Sequence, residues 1–120
     1  MLINELSKKS GVTIHTIRYY ENLGLIKPEV NPQVSSNNYK NYTQRDLERL
    51  EIILEAKQVG FTLAEIKQLL TWWFEHREDK DQTIELFKNK IKEIDERILQ
   101  FEQMRKRLEM ACQEIQKDEC

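Results

Sequence analysis

His15, Arg18, Tyr19 and Asn22 stand at i, i+3, i+4 and i+7, so a helix through them sets four hydrogen-bonding side chains in one stripe. Imidazole, guanidinium, phenol and carboxamide in a row make a chemically varied face suited to recognition. Ile14 and Ile17 point elsewhere, onto whatever the helix packs against. The chain holds no Gly-rich phosphate loop, no HExxH and no His, Cys or Ser constellation beyond Cys112 and Cys120, which speaks against an enzyme.

The elements that must position this stripe are short and well punctuated. Residues 2–9 form one or two helical turns with Leu2, Ile3 and Leu6 inward, and Ser10-Gly11-Val12 is a turn. Thr13 is a good N-cap for the second helix, and Gly24 is its end signal. Two short helices about a Gly-containing turn make a helix-turn-helix, or else a plain helical hairpin in an all-helical domain. Leu25-Ile26 reads as a brief strand, residues 28–38 as a Pro, Asn and Ser-rich loop, and Tyr39 to Tyr42 as a strand returning to pair with Leu25-Ile26. That ribbon is a wing beside the second helix, too small to be stable unless it leans on the helices. Lys40 and the tyrosines of the wing are placed to reach phosphates, or Tyr39 or Tyr42 covers the core.

Thr43 with Asp46 resembles a capping arrangement and opens a helix to about Val59, with Leu47, Leu50, Ile53 and Leu54 on its apolar face and Gly60 as its stop. Thr62 and Glu65 fit a capping box for a further helix carrying Leu63, Ile66, Leu69, Leu70 and Trp73. After the charged stretch EHREDKD, residues 75–81, the pattern changes to a single long repeat. Ile84, Phe87, Ile91, Ile94, Ile98, Phe101, Arg105, Leu108, Cys112 and Ile115 follow 3,4 spacing without a slip. A helix from Ile84 to Ile115 is about 47 Å long and has no domain of its own length to pack on. The partner it calls for is the same helix in a second copy, giving a coiled-coil homodimer whose orientation the heptads leave open. Arg105, at a seam position, fixes register or snorkels to the edge.

The 120 residues have a mean hydropathy of -0.71 and no apolar run long enough to span a membrane, so a cytoplasmic protein without membrane partners is expected. Residues 1–50 carry seven basic against five acidic side chains and residues 51–120 carry twelve against sixteen, so the N-terminal part is where nucleic acid would bind. Two cysteines near the C-terminal end are no disulfide framework.

IRYYENLGLIKP at 17–28, NYKNYTQRDLERL at 38–50 and QVGFTLAEIKQLL at 58–70, followed by a long helix, resemble the MerR family of bacterial transcription regulators. The resemblance implies a mainly α fold: an N-terminal winged helix-turn-helix domain and linking helical pair over 1–75, a charged connection at 76–81, and an antiparallel coiled-coil dimerisation helix with a short tail over 82–120. It implies a homodimer on double-stranded promoter DNA, acting on RNA polymerase indirectly by bending and untwisting an overlong promoter spacer when an effector binds. Carried onto this sequence, it puts His15, Thr16, Arg18 and Tyr19 in the major groove, Tyr20 on a phosphate, and Tyr39 and Lys40 on the backbone from the wing. Ile84, Phe87, Ile91, Ile94, Ile98, Phe101, Leu108 and Ile115 would form the dimer seam. The family's wing has Gly before the Tyr and Arg after it, where this chain has Asn38 and Lys40; lysine keeps the charge and loses the bidentate fork.

Cys112 and Cys120 have the C-x7-C spacing of the metal loop in the copper-sensing and related branches, and MRKRL at 104–108 also resembles them. Two thiolates would suit Cu(I) or contribute to a zinc site. Against that, Cys112 continues the seam, QEIQKDE between the cysteines lacks the Gly and Pro of such a loop, and Lys80 puts a cation where metal sensors carry Cys or Ser. The expectation is therefore a regulator with no cofactor, the alternatives being a metal sensor or a coiled-coil interaction module whose winged helix binds protein.

Overall fold

The computed structural model describes residues 1–30, 40–75 and 80–118. The chain divides into two compact units, Met1–Lys80 and Asp81–Cys120. In the first, α1 (Ile3–Ser10) packs on α2 (Ile14–Asn22) and on α3 (Gln44–Gln58), and α3 packs on α4 (Leu63–Leu70). Leu6, Ile17, Leu25, Ile26, Leu50, Ile53 and Ile66 form the centre of the core, each at most 1% exposed. Burial of each such side chain contributes about 1.5–3 kcal/mol.

The helix ends follow from the capping chemistry. The Thr13 side chain accepts from Thr16 N at 3.2 Å, and α2 closes through Gly24 at φ 78°, whose N–H reaches Glu21 O while Leu25 N reaches Tyr20 O at 2.9 Å. This paired 6→1 and 5→2 closure needs a left-handed residue, which glycine adopts without a Cβ clash. It also turns Leu25 and Ile26 into the core. The strand expected at Leu25-Ile26 therefore forms later: β1 (Glu29–Val30) pairs antiparallel with β2 (Lys40–Asn41), Glu29 opposite Asn41 and Val30 opposite Lys40. Two consecutive residues of a strand face opposite ways, so two consecutive core residues are better served by a turn.

Leu2, expected inward, is 57% exposed. It is the extended residue before α1, outside the helical period, and Met1 beside it runs along the wing, where Tyr42 N donates to Met1 O at 2.7 Å. Trp73, expected on the inward face of α4, is 58% exposed. A π-helical turn, Thr71–Glu75, follows α4; its i→i+5 bonding inserts a residue and passes the inward position from Trp73 to Phe74.

Phe74 is held by cations. The Arg49 guanidinium lies 4.6 Å and that of Arg45 5.4 Å from its ring centre, and Arg45 Nη2 donates to Phe74 O at 2.6 Å. Arg49 is buried, donates from Nη1 to Leu25 O, and has its pKa lowered by burial and then by the charge of Arg45. Lys27 Nζ meets Glu75 Oε1 at 2.8 Å, closing a second tie between the exit of α2 and the π-turn.

Asp46 is 2% exposed and fully occupied. Its Oδ2 accepts from Thr43 N at 2.9 Å, completing the capping box of α3, and its Oδ1 accepts from Lys27 N at 3.3 Å. The second unit is a single helix, α5 (Lys80–Lys117), 38 residues and about 57 Å long. It begins two residues before the boundary expected at 82, and every seam residue from Ile84 to Ile115 is exposed on it. Arg105 sends Nε to Glu109 Oε1 of its own helix at 3.1 Å.

Replacing Asp46 by Ala removes a helix cap and strands the Lys27 amide, together about 2 kcal/mol. Urea unfolding monitored by circular dichroism should show a loss of that size, with Asp46→Asn intermediate.

Candidate nucleic-acid interface

The outer face of α2 is as varied as its spacing promised. His15, Arg18, Tyr19 and Asn22 are all exposed, while Thr16 is half-buried with its hydroxyl in a 2.9 Å bond to Thr13 Oγ1. The Tyr19 ring stands 6.0 Å from that of Tyr20, so its phenol is carried on an aromatic neighbour. With no acidic residue in the first turn of α2, the amides at its N-terminal end face no competing carboxylate from that turn.

Tyr20 belongs to the core and not to the phosphate contacts. It lies one turn after Ile17 on the inward face, is 2% exposed, and its hydroxyl accepts from Lys57 Nζ at 3.3 Å. Its role is to carry α2 on α3. Tyr39 and Cys120 lie outside the described residues.

Beside α2 opens a cleft of about 580 Å³, lined by Leu2, Ile3, Asn4, Arg18, Glu21, Asn22, Lys40 and Tyr42. Lys40 of β2 is half-buried and its Nζ is 3.1 Å from Glu21 Oε1. The other oxygen of Glu21 accepts from Tyr42 Oη at 3.3 Å. Tyr42 is 2% exposed, and burial, then the Glu21 charge, pushes its pKa up to about 12. Asn41 Oδ1 and Tyr42 O both accept from Met1 N, at 2.6 and 2.8 Å, so the base of the wing is tied to the start of α1 as well as to α2.

Glu21 and Asn4 were not among the residues singled out from the sequence. Glu21 does sit three residues after Arg18, one turn along the same helix, a spacing that could have marked it as a neighbour of the reading face. Its wing partners are distant in sequence and leave no such signal.

A basic, hydrogen-bonding helix face flanked by a two-stranded wing is an arrangement that suits a duplex groove and its bordering phosphates. The description "MerR HTH family regulatory protein" matches residues 1–71, and "MerR, DNA binding" matches residues 47–111. The chain belongs to the MerR family. It is 34% identical over 127 residues to the HTH-type transcriptional regulator HmrR of Rhizobium leguminosarum bv. viciae, covering 100% of this chain and 92% of that one. Among solved structures it is similar to the transcription regulator PbrR691 from Ralstonia metallidurans CH34 in complex with lead(II), at 28% identity and a TM-score of 0.75, covering 90% of this chain and 81% of that one. It is also similar to EcmrR in the EcmrR-DNA complex, at 26% identity and a TM-score of 0.74, covering 100% of this chain and 41% of EcmrR. As a MerR regulator it is a DNA-binding transcription factor with a mainly α fold, an N-terminal winged helix-turn-helix and a long C-terminal helix.

In this MerR regulator the wing anchor should be visible at alkaline pH. Tyr42 stays protonated in the fold up to about 12 against an ordinary value of 10.0, so its contribution to stability is whole below pH 10 and is lost between pH 10 and 12. Tyr42→Phe, which removes the bond to Glu21, should destabilise by about 1 kcal/mol at neutral pH and flatten that alkaline loss. Thermal unfolding of both proteins across pH 8 to 12 would check this.

Proposed function

We propose that this protein works in the cytoplasm as a homodimer, joined through an antiparallel coiled coil of α5, that places one α2 on each half of a near-palindromic promoter site and distorts an overlong spacer between them. RNA polymerase then meets realigned promoter elements and need not touch the regulator. The observation that carries the dimer is the exposed seam of α5. Ile84, Phe87, Ile91, Ile94, Ile98, Phe101, Leu108 and Ile115 present one apolar line to solvent along a single helix. In water such a line is stabilised by burial against a second copy, at about 25 cal/mol per Å² of apolar surface covered.

In this reading His15, Thr16, Arg18 and Tyr19 enter the major groove, Arg18 by a bidentate contact to guanine O6 and N7 or to a phosphate. Lys40 holds the backbone from the wing, and Tyr39 is assigned the same role by family resemblance. A protein-binding winged helix is disfavoured by the cationic groups on this side of the domain. Arg18→Ala should abolish the gel shift of DNA upstream of the protein's own gene while sedimentation still reports a dimer. Retention of wild-type affinity would remove α2 as the reading helix.

For the effector, likeness to PbrR691, solved with lead(II), supports a second reading in which Cys112 and Cys120 bind a soft metal ion such as Cu(I), or zinc. Among the described residues no group of three or more His, Cys, Asp or Glu side chains is placed to bind a metal, Cys112 is an exposed thiol at a seam position, and Cys120 lies outside the described residues. Equilibrium binding of Cu(I) and Zn(II) to wild type and to Cys112→Ser should give equal affinities. A loss of about 10-fold or more in the variant would make Cys112 a ligand.

A further inference from the structure

The Glu21 carboxylate stands among the cations proposed to hold DNA. It projects from α2 one turn beyond Arg18, with a side chain only 13% exposed, and binds Lys40 Nζ at 3.1 Å and Tyr42 Oη at 3.3 Å. Lys40, at 33% side-chain exposure, therefore has its ammonium neutralised by a carboxylate of the reading helix itself. An anion next to a phosphate-binding surface repels DNA, and Tyr42 does not require a charged group there, because an amide would serve it equally well as an acceptor.

We infer that Glu21 is a specificity-determining residue that masks Lys40 from DNA until α2 is seated in its groove. This rests on the interface proposed above. Tied to α2, the ammonium cannot swing out to meet whatever phosphate passes. On a random duplex, where α2 rides over the groove, breaking the pair would leave a poorly hydrated carboxylate without its cation, and Lys40 stays on Glu21. On the cognate site the phosphate beside the seated helix comes within reach and replaces the carboxylate. Glu21 thereby weakens binding everywhere and weakens it most where the sequence is wrong, which is discrimination by a repulsive element.

The prediction lies in the salt dependence, because each phosphate neutralised adds about 0.9 to the slope of log K against log salt. For the full-length protein on a random-sequence duplex, Glu21→Gln should steepen the slope by about 0.9. Its affinity there should rise up to about fivefold, the upper range for a solvent-reachable ion pair. On the duplex from upstream of its own gene the slope should stay as in wild type, so the specificity ratio falls. In a Lys40→Met background Glu21→Gln should have no effect on either slope. Lys40→Met alone, checked by circular dichroism for a native fold because it leaves Glu21 without its cation, should leave the random-duplex slope unchanged and lower the cognate slope by about 0.9. An unchanged random-duplex slope in Glu21→Gln, the same steepening without Lys40, or a shallower random-duplex slope in Lys40→Met each overturns the inference. Arg18→Ala measured alongside separates the two levels. If it loses cognate binding while Glu21→Gln changes no slope, this inference alone fails; if it binds as wild type, the interface fails with it.

Discussion

A carboxylate taken out of water must be satisfied where it lies, and in the N-terminal unit that group is Asp46. It has two backbone donors, Thr43 N at the head of α3 and Lys27 N just past the end of α2. The first sets where α3 begins, and the second sets where the chain leaving α2 can go. The other ties of the unit build on that junction. Leu25 O receives Arg49, Lys27 Nζ receives Glu75, and Phe74 is clasped by Arg45 and Arg49. Buried polar groups of this kind add little net stability. Their effect is to penalise every arrangement that leaves one of them unpaired, and so to give the segment after α2 one position.

The reading helix inherits that precision from both ends. Thr13 starts it, the Gly24 closure stops it, and Ile17 with Tyr20 seats it on the core. None of these residues belongs to the exposed stripe of His15, Arg18, Tyr19 and Asn22. Support and the exposed polar stripe are thus divided between opposite faces of nine residues. The wing has less to hold it, with two residues per strand among those described. Its side-chain attachment at Glu21 and its backbone attachment at Met1 supply what a ribbon of that size lacks.

Local signals carried most of the fold. Helix starts at Thr13, Thr43 and Thr62 and stops at Gly24 and Gly60 are written in residues whose chemistry acts within one turn, and the structure keeps each of them. Where the outcome depended on tertiary competition, the sequence misled. Leu25 and Ile26 have strand-forming side chains, yet the closure at Gly24 gave both to the core. Trp73 satisfied the period of α4, yet a π-turn that no residue type announces rotated it outward. Tyr20 was legible and misread: its place one turn after Ile17 marks it as inward, whereas its neighbour Tyr19 is not. The cleft beside α2 was hidden because Glu21, Lys40 and Tyr42 meet only once the wing has folded back.

The two units pose opposite problems to water. In the first, most large apolar side chains are covered in a core of its own, and those left exposed, such as Leu2, Val59 and Trp73, are scattered along the chain. In the second, a helix of 38 residues keeps its apolar line outward. Isolated helices gain little from propensity alone, and α5 has ion pairs such as Arg105 with Glu109 that add only tenths of a kcal/mol. A heptad seam of isoleucine, phenylalanine and leucine, interrupted only by Arg105 and Cys112, is what the proposed second chain would cover. In the proposed two-fold dimer α2 is presented twice, so its affinity for each half-site can stay modest while the pair is tight. The masking proposed for Lys40 suits such a design, since discrimination gained at one half-site would be applied again at the other.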